Sequence, residues 1–312
     1  MKPFFQILLL LFASFYATAQ QDSADVEAVR RMVNLSEVVV RSDLNVPKFL
    51  QRIKTDTTFY KAFRNLRILR FTALNDIRML NKRGAVVASL QSKTRQLRAG
   101  GCRTMETLDE KTTGDLKDGN GYNYFTAQLY AGLFFTPSTV CGETNIVAGA
   151  VRNVRDKKGL EKAKEQLKML FFNPGKRIPG IPFIGDKLDI FDERLAPYYD
   201  FTIDLTDLNG QACYLFSIKR RSNLTGSERG NIVFDNITTW FNTKTMEIVA
   251  RNYDLSYDAG VYDFDVHMEV VMTKIGDLLV PQTLRYKGDW DVAFKKRERG
   301  VFTATLFDFS NE

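Results

Sequence analysis

The sequence predicts an α+β protein whose last third is an antiparallel sheet. Two observations carry this. From Tyr198 onward, apolar residues recur at every second position in runs separated by short turns: 199–206, 211–219, 232–241, 246–257, 261–273, 278–287 and 301–309. Before that point several short runs repeat apolar residues every three or four positions, as amphipathic helices do. With strands dominating the C-terminal half and helices before them, the class is α+β.

The elements follow in order. Residues 1–19 read as a secretory signal, with Lys2 as the positive start, an apolar run over 7–12, and Ala17-Thr18-Ala19 as a small-x-small cleavage site. That apolar run falls short of the ~20 residues a membrane span needs. No later run is long enough either, so an exported protein without a transmembrane segment is expected. Residues 20–45 form an arm and a strand, the β-branched Leu35-Ser36-Glu37-Val38-Val39-Val40-Arg41. Residues 46–312 form a single α+β domain, with a helical and hairpin part at 46–197 and the main strand array at 198–312.

Asn45-Val46-Pro47 opens a helix with Phe49, Leu50 and Ile53 on its apolar stripe. Asp56-Thr57-Thr58 caps a second, in which Phe59, Phe63, Leu66 and Leu69 face inward while Lys61, Arg64 and Arg67 face out. Residues 70–80 and 85–90 form a hairpin turned by Lys82-Arg83-Gly84. The polar stretch 91–121 holds a strand pair near 103–108, and the aromatic stretch 122–135 is expected to be extended. Residues 159–172 are the clearest helix, stopped by Asn173-Pro174-Gly175. The apolar Pro/Gly loop 177–185 either packs under a sheet or closes over one, and 186–195 is a short helix. Leu208-Asn209-Gly210 then turns the first hairpin of the strand array.

Within the array, Phe264, Val266, Met268, Val270 and Met272 share one strand face, and Asp263, Asp265, His267 and Glu269 the other. One face is buried and one wet. Residues 246–257 differ: Met246, Ile248 and Ala250 line one side, and Val249, Tyr253, Leu255 and Tyr257 the opposite one. Such a strand is either covered on both faces or borders an apolar ligand groove.

The net charge of +7 comes from 44 basic and 37 acidic residues spread along the chain. That spread does not form the dense basic run of a nucleic-acid arm. The three cysteines allow at most one intramolecular disulfide in an oxidising compartment. Cys102 and Cys141 sit beside glycines at segment ends, a context that suits a bridge, and Cys213 reads as a small buried hydrophobe.

Little in the chain points to catalysis. Asp265, His267 and Glu269 lie two apart on one strand face, so their side chains are spaced roughly 6–7 Å apart, wide for a shared metal ion. His267 is the single histidine, which excludes a His₂ or His₃ zinc site. There is no Gly-x-Ser-x-Gly elbow and no phosphate-cradling glycine loop. Asp189 with Asp192 and Glu193, and Asp289 with Asp291, read as ordinary surface acids rather than a glycosidase pair. No cofactor is expected. Trp240 and Trp290, near strand ends with Phe241 and Tyr286, read as core or as lipid or carbohydrate contacts.

Trp240-Phe241-Asn242, a turn through Thr243 and Thr245, and a strand opening on Ile248 resemble the periplasmic lipoprotein carriers of the LolA and LolB type. Leu278-Leu279-Val280-Pro281 is similar to a strand start in that superfamily. The resemblance covers the last third of the chain. It implies a curved antiparallel sheet, an open half-barrel, with helices packed on its concave face around lipid acyl chains. Residues 35–40 and 56–67 look like exported proteins of Bacteroidetes-type bacteria, which implies the periplasm or cell surface of a Gram-negative cell. Too few residues precede Leu35 to build the carboxypeptidase-regulatory-like β-sandwich that such a strand closes in many of those proteins.

The leading expectation is therefore non-catalytic binding of an apolar or lipid-like ligand, or of a lipidated protein partner. Burying an acyl chain contributes ~0.8 kcal/mol per CH₂ before ordering costs. Val249, Tyr253, Leu255, Tyr257, Ile178, Ile181, Phe183, Ile184, Trp240 and Trp290 are the expected lining. The alternatives are a scaffold protein of an outer-membrane or cell-surface complex with no small ligand and, third, a carboxylate-based hydrolase.

Overall fold

The structure, a computed structural model, describes residues 26–40, 44–119, 121–147, 170–176, 184–258, 262–292 and 296–311. After a helical stretch at 26–32, the chain runs through β1 (Val33–Leu35), α1 (Glu37–Val40), α2 (Val46–Thr55), α3 (Thr58–Asn65), β2 (Arg70–Leu80), β3 (Val86–Ala99) and β4 (Cys102–Thr113). Next come the small pair β5 (Lys117–Asp118) and β6 (Gly121–Tyr122), α4 (Phe125–Phe134) and β7 (Val140–Cys141). The remainder is β8 (Tyr199–Leu208), β9 (Gln211–Arg220), α5 (Gly226–Arg229), β10 (Phe234–Asn242), β11 (Ile248–Asp258), β12 (Tyr262–Ile275), β13 (Leu278–Val292) and β14 (Glu298–Ser310).

Twelve of these strands form one large curved sheet in the order β1-β8-β9-β10-β11-β12-β13-β14-β2-β3-β4-β7. All neighbours described in it are antiparallel except β1 with β8. Residues 70–113 thus extend the sheet beyond β14. The pattern that builds it is period two. Phe201, Ile218, Ile237, Tyr253, Met268, Tyr286, Phe302, Ile77 and Leu90 stand in register on consecutive strands. Every one of them is buried. A slip of one residue on any strand would turn its member of this row to the other face.

Helices and turns cover that face. Phe49 of α2 packs its ring against Tyr214, Phe216 and Phe241, with centroids 5.2–6.1 Å away. The Asn65 amide at the end of α3 donates to the Leu279 carbonyl of β13 at 2.8 Å. Tyr130 and Phe134 of α4 stack on Phe302 of β14. Gly288 and Gly300 lie opposite each other on β13 and β14. A Cβ at Gly288 would meet the Tyr286 hydroxyl at 1.9 Å, so the missing side chain is what lets the Tyr286 ring lie flat along its own strand.

Four local expectations are corrected. The aromatic stretch 122–135 is not extended; it contains α4. Its N-terminus is held from far away, because the Glu298 carboxylate accepts from the Phe125 and Thr126 amides at 2.9 and 2.8 Å and from the Thr126 hydroxyl at 2.6 Å. A carboxylate there satisfies orphan donors and complements the helix dipole. Residues 35–41 are not one strand: β1 stops at Leu35 and α1 begins at Glu37, with Val38 and Val40 exposed and Val39 buried. Residues 186–195 form no regular helix. Their amides reach back three residues, Asp192 to Asp189 and Leu195 to Asp192, which makes a chain of tight turns. The strands at 91–113 are longer than expected, because β3 and β4 pair along most of their lengths.

Cys102 and Cys141 face each other at the join of β4 and β7 and are disulfide-bonded, with Cα atoms 4.0 Å apart. Cys213 is a buried free thiol. The bond closes a loop of 39 residues that carries α4. The helix expected at 159–172 is described only from Leu170 to Phe172, where it is helical; most of it, like Ile178, Ile181 and Phe183, lies outside the described residues.

Candidate functional site

The sheet floor and the helical layer do not meet everywhere. Between α3, α4, Phe172 and strands β2, β3 and β14 they leave a cavity of about 100 Å³. Its roof is aromatic. Phe63 stacks on Phe172 with centroids 3.8 Å apart, and Phe134 meets Phe172 edge-on at 5.9 Å. Phe71, Ala73, Ala304 and Leu306 form the apolar part of the floor and are all buried. A polar strip, Asn75 and Gln96, runs beside them. Both side chains are internally satisfied: Asn75 donates to Ser92 and Thr94, and Gln96 to the Leu66 and Leu69 carbonyls at 2.6 and 2.7 Å.

The rest of the lining is charged and partly exposed. Arg64, Arg67 and Arg103 contribute three guanidinium groups and Glu143 one carboxylate. Arg103 donates to Glu143, to the Thr136 hydroxyl and, at 3.2 Å, to the Gln96 side-chain oxygen. Arg67 lies 3.3 Å from Glu143. Arg64 donates through Nη2 to the Thr144 carbonyl at 3.1 Å, while its Nε is buried and has no hydrogen-bond partner among the described residues. The cavity is therefore amphipathic, apolar on one side and cationic on the other. Arg64 and Arg67 do not simply face out, as helical spacing suggests; they line its cationic side.

No serine, cysteine or histidine stands among the described residues lining the cavity, and Glu143, its one carboxylate, is tied to two arginines. Nowhere among the described residues do three His, Cys, Asp or Glu side chains gather as a metal site.

The residues singled out on the 246–257 stretch lie elsewhere. Tyr253 and Leu255 are fully buried and Tyr257 nearly so. What lies against them is the protein's own chain. The Tyr253 hydroxyl donates to the Phe171 carbonyl, and burial raises its pKa well above the usual phenol value. Lys187 sits over the Tyr257 ring at 4.9 Å and donates to its hydroxyl at 3.0 Å. Ile184 is buried. Val249 is the extra residue of a bulge: Trp240 pairs with Ala250, but Phe241 pairs with Ile248. Trp240 is half-buried and points to the other face of the sheet. Trp290 donates to the Tyr286 hydroxyl at 2.5 Å and packs on Phe264. None of these described residues lines the cavity.

Two cations stand behind the same layer, Arg251 buried and Lys176 half-buried. Arg251 donates to the Thr239 hydroxyl at 2.9 Å and lies over the Phe59 ring at 4.4 Å; burial lowers its pKa to about 10. Lys176 donates to the Ile53 and Lys54 carbonyls at the end of α2, a position that suits a positive charge, and burial brings its pKa down to about 8. The gap beside them is about 20 Å³, room for a single water.

His267 belongs to the solvated face. Its Nδ1 is 2.6 Å from Asp254 and its Nε2 3.2 Å from Glu269. Burial disfavours its charged form, but the two carboxylates outweigh burial and raise its pKa.

The cavity was hidden in the sequence because its walls come from segments scattered between Tyr60 and Leu306. The usable signal was local: Arg64 and Arg67 one helical turn apart, directly beside Phe63 and Leu66.

No family model matches the sequence, and no curated protein matches it. Among solved structures, the chain is similar to a DUF1329 family protein from Desulfovibrio piger, with 10% identity over 81% of this chain and 90% of that one and a TM-score of 0.26. It is also similar to a domain described as an outer membrane lipoprotein-sorting protein, from Vibrio parahaemolyticus. There the identity is 8% over 80% of this chain and 89% of that one, again with a TM-score of 0.26. Likenesses this distant carry no argument about what the chain does.

Proposed function

We propose that this chain is a non-catalytic, exported protein of the Gram-negative cell envelope that holds an apolar, lipid-like ligand or the lipid of a lipidated partner. The observation that supports it is the cavity between α3, α4 and the sheet, walled by Phe63, Phe71, Phe134, Phe172 and Leu306. In this reading the helices lie on the concave face of the curved sheet, and the ligand's chain enters between them and the floor. The resemblance of 232–248 to the LolA and LolB carriers favours the same reading. The region around Val249, Tyr253, Leu255, Tyr257 and Ile184 would accept a ligand only if Phe171 and Lys187 moved away. The second reading, a scaffold of an envelope complex with no small ligand, is favoured by the way Phe171 and Lys187 already fill that region.

Native mass spectrometry of protein purified from an exporting host separates the two. The expected spectrum contains a co-purifying lipid mass, lost in Leu306→Trp, which fills the cavity floor. Bare protein in repeated preparations, together with no uptake of added lipid, would sink the carrier reading.

A further inference from the structure

The geometry points to an anionic single-chain amphiphile, a carboxylate with one alkyl chain, as the class of ligand that fits the cavity beside α3, with its head group bound at Arg64. This rests on the ligand-binding reading above and specifies it.

Charge comes first. The described lining carries three guanidinium groups against one carboxylate, so the opening is short of negative charge. Arg103 and Arg67 both engage Glu143. Arg64 donates to the Thr144 carbonyl, and its Nε is buried without a hydrogen-bond partner among the described residues. A buried donor left unmade is unfavourable. A carboxylate at the opening would accept a charge-assisted bond from the Arg64 guanidinium. Arginine suits this role because its planar fork matches a carboxylate.

Shape comes second. The apolar side is formed by Phe63 stacked on Phe172, with Phe71 and Leu306 beneath. A space of about 100 Å³ is smaller than the ~150 Å³ cavities that admit a benzene-sized guest. One chain end fits there and two side by side do not. A head group alone would leave the aromatic end empty, and a neutral chain would leave Arg64 unmatched.

The test is calorimetric titration of delipidated, refolded full chain with decanoate and with 1-decanol, followed by Arg64→Gln. Decanoate is expected to bind at least tenfold more tightly than decanol. Arg64→Gln should remove most of that preference and leave decanol binding unchanged. Rising salt should weaken decanoate alone, which keeps the inference testable in the unaltered chain if the variant does not fold. Equal binding of the two probes, or a preference that survives both salt and Arg64→Gln, would overturn the anionic class while leaving the carrier reading intact. Binding of neither probe overturns both. Didecanoyl phosphatidic acid binding as tightly as decanoate would overturn the single-chain restriction.

Discussion

Gly288 shows how much one missing side chain decides. Its absent Cβ leaves the space in which Tyr286 lies, and Tyr286 in turn supports Tyr130, Phe171 and Trp290. Gly288→Ala should therefore displace that ring and lower stability by about 1–3 kcal/mol, the range for overpacking a filled core. Chemical denaturation measures it; a change within experimental error would mean that Tyr286 has another rotamer open to it. His267 behaves differently because it is wet. Its pKa is raised in the folded chain, so the stability it contributes is present below its unfolded value near 6.5 and is lost as pH rises through the folded value. His267→Gln should therefore lower the melting temperature more at about pH 5.5 than at about pH 8.5. An effect that is equal at both values would show that the Asp254 and Glu269 contacts do not hold the charged ring.

At the scale of elements, the disulfide has the clearest consequence. It ties β4 to β7 and closes the loop that carries α4, whose Leu133 and Phe134, with Phe135 just beyond them, form one side of the cavity. Closing a loop of this length stabilises by about 4 kcal/mol in the chain-entropy picture. The Cys102→Ser, Cys141→Ser double variant should lose up to that amount, and amide exchange in α4 should quicken more than in β11 or β12. Uniform quickening throughout would place the bond's effect on the whole fold. The same elements show what could be read from the sequence. Residues 199–309 were legible because a sheet covered on one face writes its burial as strict alternation. α4 was not, because Phe125, Leu129, Tyr130, Leu133 and Phe134 give it no polar face, and its N-terminal anchor, Glu298, is 173 residues away from Phe125. α1 was hidden by three consecutive valines whose preference for strands is overruled where β1 ends.

For the whole molecule, the class and the strand array were readable, whereas the union of the two halves into one sheet was not. Nothing in residues 70–113 says which strand they join, since edge pairing depends on shape rather than on local pattern. The candidate site suffered the same way. Tyr253 and Leu255 read as a groove because their strand is apolar on both faces; in the fold both are buried and Tyr253 bonds to the Phe171 carbonyl. The cavity beside α3 is assembled from parts that share no sequence neighbourhood.

β14 is the strand that makes the union, with β13 on one side and β2 on the other. It follows every other strand in the chain. During synthesis or passage through a narrow exit, β2, β3 and β4 emerge early and must wait, with one long raw edge, until β14 arrives. Glu298, which anchors α4, arrives with it. The order in which this chain is delivered thus sets the order in which it can be completed: its earliest long strands and its cavity are finished last, by the same thirteen residues.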